Sequence, residues 1–292
     1  MTIPVDRENF LAEVRLRNRG LIAAEDQRNL SEATFLIVGC GSTGGATIEP
    51  LVRAGGMRFI LVEPGRYELS NLNRQRATLE AVGVNKAAWL AKQATAVNPY
   101  LEIEVHEEGI SAENALSMCL RADLVIDAVD VTTLTGLSAK CALHEAASVA
   151  RRPVISAYDL AYRQFVRIFD YRRSQQPLGG EIARIRSAKT PTDALARLIP
   201  IWAIPYDMLA EIEHLQDEPG SSVSQLGCAA DLFGALTVPL VLELLARRPV
   251  KRSYILDLKD PALPIATRVA RRAATLQGLA RLQARKWKRR NG

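Results

Sequence analysis

Phosphate and ribose chemistry is concentrated in one short stretch of this 292-residue chain. Gly39-Cys40-Gly41-Ser42-Thr43-Gly44-Gly45 fits the pattern GxGxxG, and an acid, Glu63, lies 24 residues beyond Gly39. Glycines at Gly39, Gly41 and Gly44 let the backbone turn tightly and approach phosphate oxygens, and the helix that the turn opens attracts the anion at its N-terminus. An acid at that spacing meets ribose hydroxyls. Together they point to an adenosine-containing ligand, whereas GxGxxG alone often reflects only close packing of strand on helix. Two bases, Arg74 and Lys86, and two acids, Asp127 and Asp130, come next. A dinucleotide oxidoreductase begins the same way, so the nucleotide's identity depends on the residues beyond Glu63.

The elements that must position these residues alternate. Thr34 to Val38 is a short apolar strand ahead of the glycine turn, and small and apolar residues at helical spacing run from Gly44 to Leu51. Met57 to Val62 reads as a second buried strand, Asn85 to Val97 as a helix and Leu101 to Val105 as a strand. Ala122 to Ile126 and Pro153 to Ser156 are further strands around an alanine-rich helix from about Thr133 to Val149. This predicts an α/β fold: a Rossmann-like, mostly parallel sheet with helices on both faces. Gln164 to Asp170 alternates like a strand of an antiparallel extension. Arg172 to Ser222, rich in Pro, Gly, Ser and charge, is expected to be a substrate-facing crossover insertion with partial order, because a structureless loop that long is rare in a compact domain. A helix from Cys228 to Leu245, kinked at Pro239, and a strand from Ser253 to Leu258 complete a domain spanning 34–258. An N-terminal helical segment, 1–33, precedes it, and a basic tail, 259–292, ends the chain.

The discriminating segment is Glu63-Pro64-Gly65-Arg66-Tyr67-Glu68-Leu69-Ser70-Asn71-Leu72-Asn73-Arg74-Gln75, then Val82-Gly83-Val84-Asn85-Lys86, then Asp127-Ala128-Val129-Asp130. This combination resembles the E1-like adenylating family, the ThiF, MoeB and ubiquitin-activating enzyme group, over roughly Arg15 to Leu258 and weakly between Arg172 and Ser222. The resemblance implies attack of a carboxylate on the α-phosphorus of ATP, giving an acyl-adenylate and pyrophosphate. It implies that Arg74 and Lys86 contact the phosphates, that Asp130 holds Mg²⁺ against them, and that Glu63 takes the ribose. Asn71 and Gln75 would shape the phosphate end, beside the loop of Gly39, Gly41, Ser42 and Gly44. Asp127 is expected to support that loop from the strand end. One of Arg17 and Arg19 is implied to reach a phosphate in the partner subunit of a homodimer. Departures are visible: Gly65 stands where relatives have a second aspartate, Ser42 replaces a glycine, Val131 replaces an asparagine, and Thr135 lies near a missing arginine. Paired CxxC knuckles are absent.

A carboxylate with a reference pKa of about 4 is already ionised at neutral pH, so the step requires charge neutralisation rather than a general base. The three histidines, His106, His144 and His214, lie in no motif and read as surface or packing residues. No cysteine lies between Cys141 and Cys228, which predicts adenylation without an enzyme thioester; Cys228 reads as helix packing. Candidate substrates are the C-terminus of a small ubiquitin-like sulfur carrier and the carboxylate of a peptide. A nucleoside-attached carboxylate, as in the tRNA threonylcarbamoyladenosine dehydratases, is the alternative, with tRNA a lesser candidate partner. The adenylate would be captured by a sulfide source, an amine or a group within the substrate. Tyr158, Asp159, Tyr162, Arg163 and Gln164, past a strand end, are candidates for lining that acceptor site. An NAD-dependent oxidoreductase and a non-catalytic nucleotide-binding scaffold are the competing classes.

Composition excludes other classes. With 48% hydrophobic residues, disorder is not the main state. Apolar runs fall short of a membrane span, the best candidate, Leu232 to Leu245, containing Pro239 and Glu243. The acid-containing start lacks the pattern of an export signal, and the expected compartment is the cytoplasm. The four dispersed cysteines indicate neither a zinc site nor a disulfide framework. Net charge is +6, yet residues 261–292 carry nine bases and no acid, leaving 29 bases against 32 acids elsewhere. The basic character therefore belongs to the tail, where Leu276, Leu279 and Trp287 are expected on one face of a short amphipathic helix, with Arg281, Arg285, Lys288 and Arg289 around the others. Such a tail would steer an acidic partner toward the body.

Overall fold

The computed structural model describes residues 6–209, 211 and 224–291. Seven strands form one sheet: β1 (Thr34–Val38), β2 (Arg58–Val62), β3 (Glu102–His106), β4 (Leu124–Asp127), β5 (Pro153–Leu160), β6 (Arg163–Asp170) and β7 (Ser253–Asp257). Their order is β3-β2-β1-β4-β5-β6-β7. The pairings from β3 across to β5 are parallel, and β6 and β7 are antiparallel additions.

Strand periodicity explains the two layers. Phe35, Ile37, Phe59 and Leu61 point to one face, where they pack with Ile48, Leu51, Phe233 and Leu240. Leu36, Val38, Ile60 and Val62 point to the other, against Met118, Leu137 and Leu143. Strands covered on both faces must be apolar at every position, which is why these read as continuous runs. A peripheral helix, α1 (Arg7–Val14), precedes the first layer, which is built from α2 (Ala24–Glu32), α3 (Ser42–Ala54) and α4 (Lys86–Val97), the second layer coming from α5 (Ala115–Arg121) and α6 (Leu134–Val149). The chain runs outward from β1 to β3, then returns to β4 on β1's other side. That reversal opens a crevice at the C-terminal ends of β1 and β4, the place where open sheets of this type bind ligands.

The expected insertion has more order than its composition suggests. It holds α7 (Ile182–Arg186) and α8 (Pro191–Leu198), and Leu178, Ile185, Ala194, Leu198 and Ala203 are buried in the second core. Next, α9 (Gly227–Leu245) is continuous through Pro239 and, at 19 residues with a mean hydropathy of 1.8, is long and apolar enough to cross a membrane, contrary to the expectation that no segment reaches that length. It lies instead on α3: a Cβ on Gly234 would sit 2.3 Å from the Ala46 carbonyl oxygen, and Phe233, Leu240, Val241 and Leu244 are core residues.

The tail also differs from expectation. Rather than a short helix it forms α10 (Ile265–Asn291), 27 residues long and docked on the insertion. Arg271 pairs with Asp207, and Gly278 leaves room for the Leu209 side chain. Leu279 is buried there whereas Leu276 is 71% exposed, so the two do not share a face. The side chains of Trp287, Arg285, Lys288 and Arg289, and the whole of His214, lie outside the described residues.

Candidate nucleotide site

The glycine turn is dictated by close approach. Gly39 has φ +87°, and a Cβ there would lie 2.2 Å from the Ala128 carbonyl oxygen, where β1 and β4 end side by side. A Cβ on Gly44 would lie 1.9 Å from the Gly39 carbonyl oxygen. Only glycine fits at either position, and the result is a helix start pulled down onto the strand end. Gly41 occupies the N-cap of α3 and no side chain caps the helix. The first-turn N–H groups are therefore left for an anion.

Glu63, at the end of β2, faces this turn. One carboxylate oxygen accepts from the Cys40 N–H at 2.7 Å and the other from the Gly65 N–H at 2.7 Å. A Cβ on Gly65 would fall 2.7 Å from that second oxygen and 3.5 Å from Lys86 Nζ. The absence of a side chain at residue 65 is thus what lets the longer acid curl back. Asn85 fixes the next piece: its side-chain N–H donates to the Glu63 carbonyl at 2.7 Å, and its oxygen caps α4 by accepting from the Ala88 N–H. Lys86 is the first residue of that helix, and its N–H donates to the Gly65 carbonyl at 3.0 Å. Glu63, Gly65 and Lys86 consequently form one contiguous patch beside the glycine turn.

Arg74 and Gln75 lie just beyond a one-turn helix, Leu69–Asn71. Asn71 is buried and its side-chain oxygen accepts from the Glu68 N–H at 3.1 Å, while its carbonyl accepts from the Arg74 and Gln75 N–H groups. Asn71 therefore sets the turn that presents the next residues. Arg74 Nε donates to Gln225 Oε1 at 2.6 Å, and its Nη1 donates to the Ser70 carbonyl and Asn73 Oδ1. Gln225 lies in Ser224-Gln225-Leu226-Gly227, a segment that resembles the family's approach to its late helix, but its hold on Arg74, 151 residues away in the chain, was not legible from that likeness. The Gln75 amide lies over Gly41, 3.7 to 3.9 Å from where a Cβ would be, and its Oε1 is sealed from solvent without a donor.

Asp130 is exposed on the crevice rim, where its Oδ1 accepts from the Thr132 N–H at 2.9 Å and from the Thr132 hydroxyl at 2.7 Å. A Cβ on Gly136 would sit 1.7 Å from the Asp130 carbonyl oxygen, so a glycine in the first turn of α6 is needed for this loop to close. Asp127 is fully buried and anchors the loop's other end, Oδ1 accepting from the Val129 N–H. Its Oδ2 accepts from Lys140, from Ser156 Oγ and from His144 Nε2 at 2.8 Å. His144 Nδ1 then accepts from the Tyr171 hydroxyl at 2.6 Å, which itself accepts from the Leu178 N–H. This chain of donors assigns a neutral imidazole protonated on Nε2. Burial alone would raise the Asp127 pKa, but Lys140 and His144 outweigh it and hold the carboxyl below the usual range. Burial pushes His144 down, against the pull of Asp127. His144 is accordingly neither a surface residue nor simple apolar packing, but a member of a buried polar network.

Two groups of expected residues lie elsewhere. Asn18 donates to the Ala54 carbonyl at the far end of α3, a helix about 20 Å long. The flanking Arg17 and Arg19 therefore stand at the opposite end of α3 from the glycine turn, and within one chain they do not reach it. Of the five acceptor-site candidates, Tyr158 is buried under Lys140 and Arg163 is bound to Asp257 and the Ala203 carbonyl. Asp159 and Gln164 stay beside α3, and Tyr162 lines a neighbouring cavity. Among the described residues, no group of three or more His, Cys, Asp or Glu could hold a metal by itself.

Comparison with known proteins agrees with this geometry. The sulfur carrier protein adenylyltransferase of Thermus thermophilus is 39% identical over 110 residues, 37% of this chain and 41% of its own length. The chain thus spans less than half of that relative. Among solved structures, PaaA superposes with a TM-score of 0.64 at 17% identity, covering 89% of this chain and 83% of its own. The E. coli tRNA N6-threonylcarbamoyladenosine dehydratase in complex with ATP superposes at 0.56 with 17% identity, over 84% of this chain and 98% of its own. These likenesses confirm the mostly parallel Rossmann-type sheet. A match to the ThiF family runs from residue 15 to 257, taking in the glycine turn, Glu63, Arg74, Lys86, Asp130 and the α9 strut. The chain belongs to the ThiF family.

Proposed function

We propose that the chain is an ATP-dependent adenylyltransferase that activates a carboxylate as its acyl-adenylate. One observation carries this reading: the uncapped start of α3, Glu63, Arg74, Lys86 and Asp130 converge on the crevice where β1 and β4 end. That set suits a ribose and triphosphate. In the reaction a carboxylate oxygen bonds to the α-phosphorus, the α–β anhydride bond breaks, and pyrophosphate leaves with the electron pair. The nucleophile is already ionised, so the chain's task is positioning and charge neutralisation. Lys86 and Arg74 face the phosphates from two sides, Arg74 after exchanging its Gln225 contact for phosphate oxygens. Glu63 takes the ribose hydroxyls, and Asn71 and Gln75 hold the phosphate-side turn.

A single exposed carboxylate at a phosphate site suits magnesium, which prefers one or two carboxylates with substrate phosphates and water. Asp130 would hold it, and the ion would neutralise phosphate charge. The proposed substrate is the C-terminus of a small sulfur carrier or peptide, by likeness to the Thermus relative. No thioester is proposed. Burial pushes the Cys40 and Cys141 thiols up and raises Cys119 to about 12; Cys228, expected as helix packing, is instead exposed at the start of α9, because it lies on the outward side of that helix's first turn. The proposed state is a cytoplasmic homodimer in which Arg17 or Arg19 reaches the partner's phosphates, consistent with their distance from their own site.

ATP–pyrophosphate exchange tests the activity, with Mg²⁺ and a carrier-type peptide ending in Gly-Gly. Arg74→Ala and Asp130→Ala are expected to lower exchange about a hundredfold or more, the scale seen when a charge-stabilising donor is removed. Cys228→Ala is expected to leave it intact. Exchange that survives both charge removals would overturn the assignment of the site.

A further inference from the structure

Arg74 is held unlike several other arginines beside α9. Two residues on, Arg76 pairs with Glu49 and Asp231; Arg172 pairs with Asp170, and Arg248 with Asp26 and Glu243. Arg74 is half-buried, yet its guanidinium meets only neutral oxygens. Gln225 Oε1 lies 2.6 Å from Nε, and the Ser70 carbonyl and Asn73 Oδ1 lie 3.0 and 2.8 Å from Nη1. Among the described residues no carboxylate pairs with it. Its charge is felt by the Asp159 carboxyl, but that group is turned to Gln164 and to the Ser42 and Thr43 hydroxyls. The orientation of Arg74 is therefore fixed while its charge stays uncompensated.

The start of α9 supplies this arrangement. The Gln225 carbonyl accepts from Asn73 Nδ2 at 3.1 Å, and a Cβ on Gly227 would lie 3.3 Å from both the Arg74 Cα and the Asn73 carbonyl oxygen. From the other side, Ser42 Oγ at the start of α3 donates to the Arg74 carbonyl at 3.4 Å. The turn that carries Arg74 is thus gripped between two helix starts, and Gln225 sets where the guanidinium rests. A carboxylate in place of the Gln225 amide would bind the planar guanidinium by a two-point contact between full charges and cancel the charge that a phosphate has to meet. An amide oxygen orients the same group without cancelling it, and is exchanged for phosphate more readily. There is room for that exchange: a cavity of about 200 Å³ beyond the β5–β6 hairpin is lined by Tyr162, Asp207 and Gln225 among others, so Gln225 borders open space as well as Arg74.

We propose that Gln225 is a positioning residue for adenylation: its neutral side-chain oxygen holds the Arg74 guanidinium ready beside the glycine turn and gives it up to the phosphates of ATP. This rests on the adenylation reading above, in which Arg74 meets those phosphates. Gln225 itself touches no reacting atom.

Calorimetric titration of ATP into the full-length protein tests this without knowledge of the carboxylate substrate. Gln225→Glu keeps the reach of the side chain and adds the charge. It is expected to weaken ATP binding at least about tenfold, the scale of a lost hydrogen bond to a charged group, while the melting temperature stays the same or rises. A residue that only supported the fold would show no such split, because glutamate preserves the contact. Gln225→Ala, which frees Arg74 without cancelling its charge, is expected to bind ATP more tightly than Gln225→Glu; the reverse order overturns the proposal. In an Arg74→Ala background the glutamate substitution is expected to weaken binding only about threefold or less, what remains being direct repulsion of the phosphates. Wild-type affinity in Gln225→Glu, or an equal loss in both backgrounds, overturns the proposal. If Arg74→Ala alone bound ATP as the wild type does, the phosphate role of Arg74 and the proposal would both fall, whereas weakening there with none in Gln225→Glu strikes the proposal alone.

Discussion

Glu63 and Gly65 have to be understood as a pair. The Glu63 carboxylate curls back over residue 65, which has no side chain to block it and whose N–H donates to it. Gly65→Ala places a Cβ 2.7 Å from Glu63 Oε1 and is expected to raise the ATP concentration needed for half-maximal exchange while leaving the melting temperature nearly unchanged. An unaltered ATP dependence would show that Glu63 does not meet the nucleotide. A second residue-scale consequence concerns pH. His144 is held neutral, with a folded-state pKa below its unfolded value of about 6.5. Such a group contributes stability that is fully present above about pH 6.5 and is lost as pH falls below it toward the folded value. Asp127, whose carboxyl is depressed, contributes above about pH 4 and loses that contribution only at more acid pH. A fall in melting temperature between about pH 6.5 and 5 is therefore expected, flattened in His144→Gln. The glycines, Glu63, Arg74, Lys86 and Asp130 were legible because each sits at a motif offset. Lys140, His144 and Ser156 were not, because their partners are brought together from different elements by packing, and nothing in local spacing marks a buried pair.

At the scale of elements, the site depends on how closely α3 can be held. Gly39 and Gly44 bring its start onto β1 and β4, and α9 presses on its other side through Gly234 against the Ala46 backbone. A Cβ at 2.3 Å from a backbone oxygen cannot be absorbed by a flexible side chain. Gly234→Ala is expected to destabilise the fold by about 1–3 kcal/mol, as overpacking does, and to loosen nucleotide binding because α3 carries the turn. Differential scanning calorimetry with and without ATP separates the two effects. The strands and most helices were readable from period-two and helical patterning, since burial on both sheet faces leaves a continuous apolar signature in Thr34–Val38 and Arg58–Val62. The insertion's contribution to the core was not: Leu178, Ile185 and Leu198 are isolated apolar residues amid prolines and charges, and only the completed α6 face shows what they cover.

For the whole molecule, charge and docking must be considered together. The last 32 residues carry +9 and the remainder −3, yet the tail does not hang free as composition alone suggests. Asp207 receives both Lys259 and Arg271, and Leu279 is buried, so the first part of α10 is fastened to the insertion that borders the hairpin cavity. Truncation after Asp260 would therefore expose Leu209 and disturb packing as well as remove charge. Replacing Arg285, Lys286, Lys288, Arg289 and Arg290 with glutamine removes five positive charges and leaves the docking residues in place. If the tail steers an acidic carrier toward the crevice, this variant should show a weaker apparent affinity for that carrier at low salt and a shallower loss of affinity as salt rises, because attraction between exposed charges is screened beyond about 10 Å at 0.1 M. Exchange at saturating carrier should be unaffected, since steering acts on encounter rather than on the bound state. An unchanged salt dependence would assign the basic helix to packing alone.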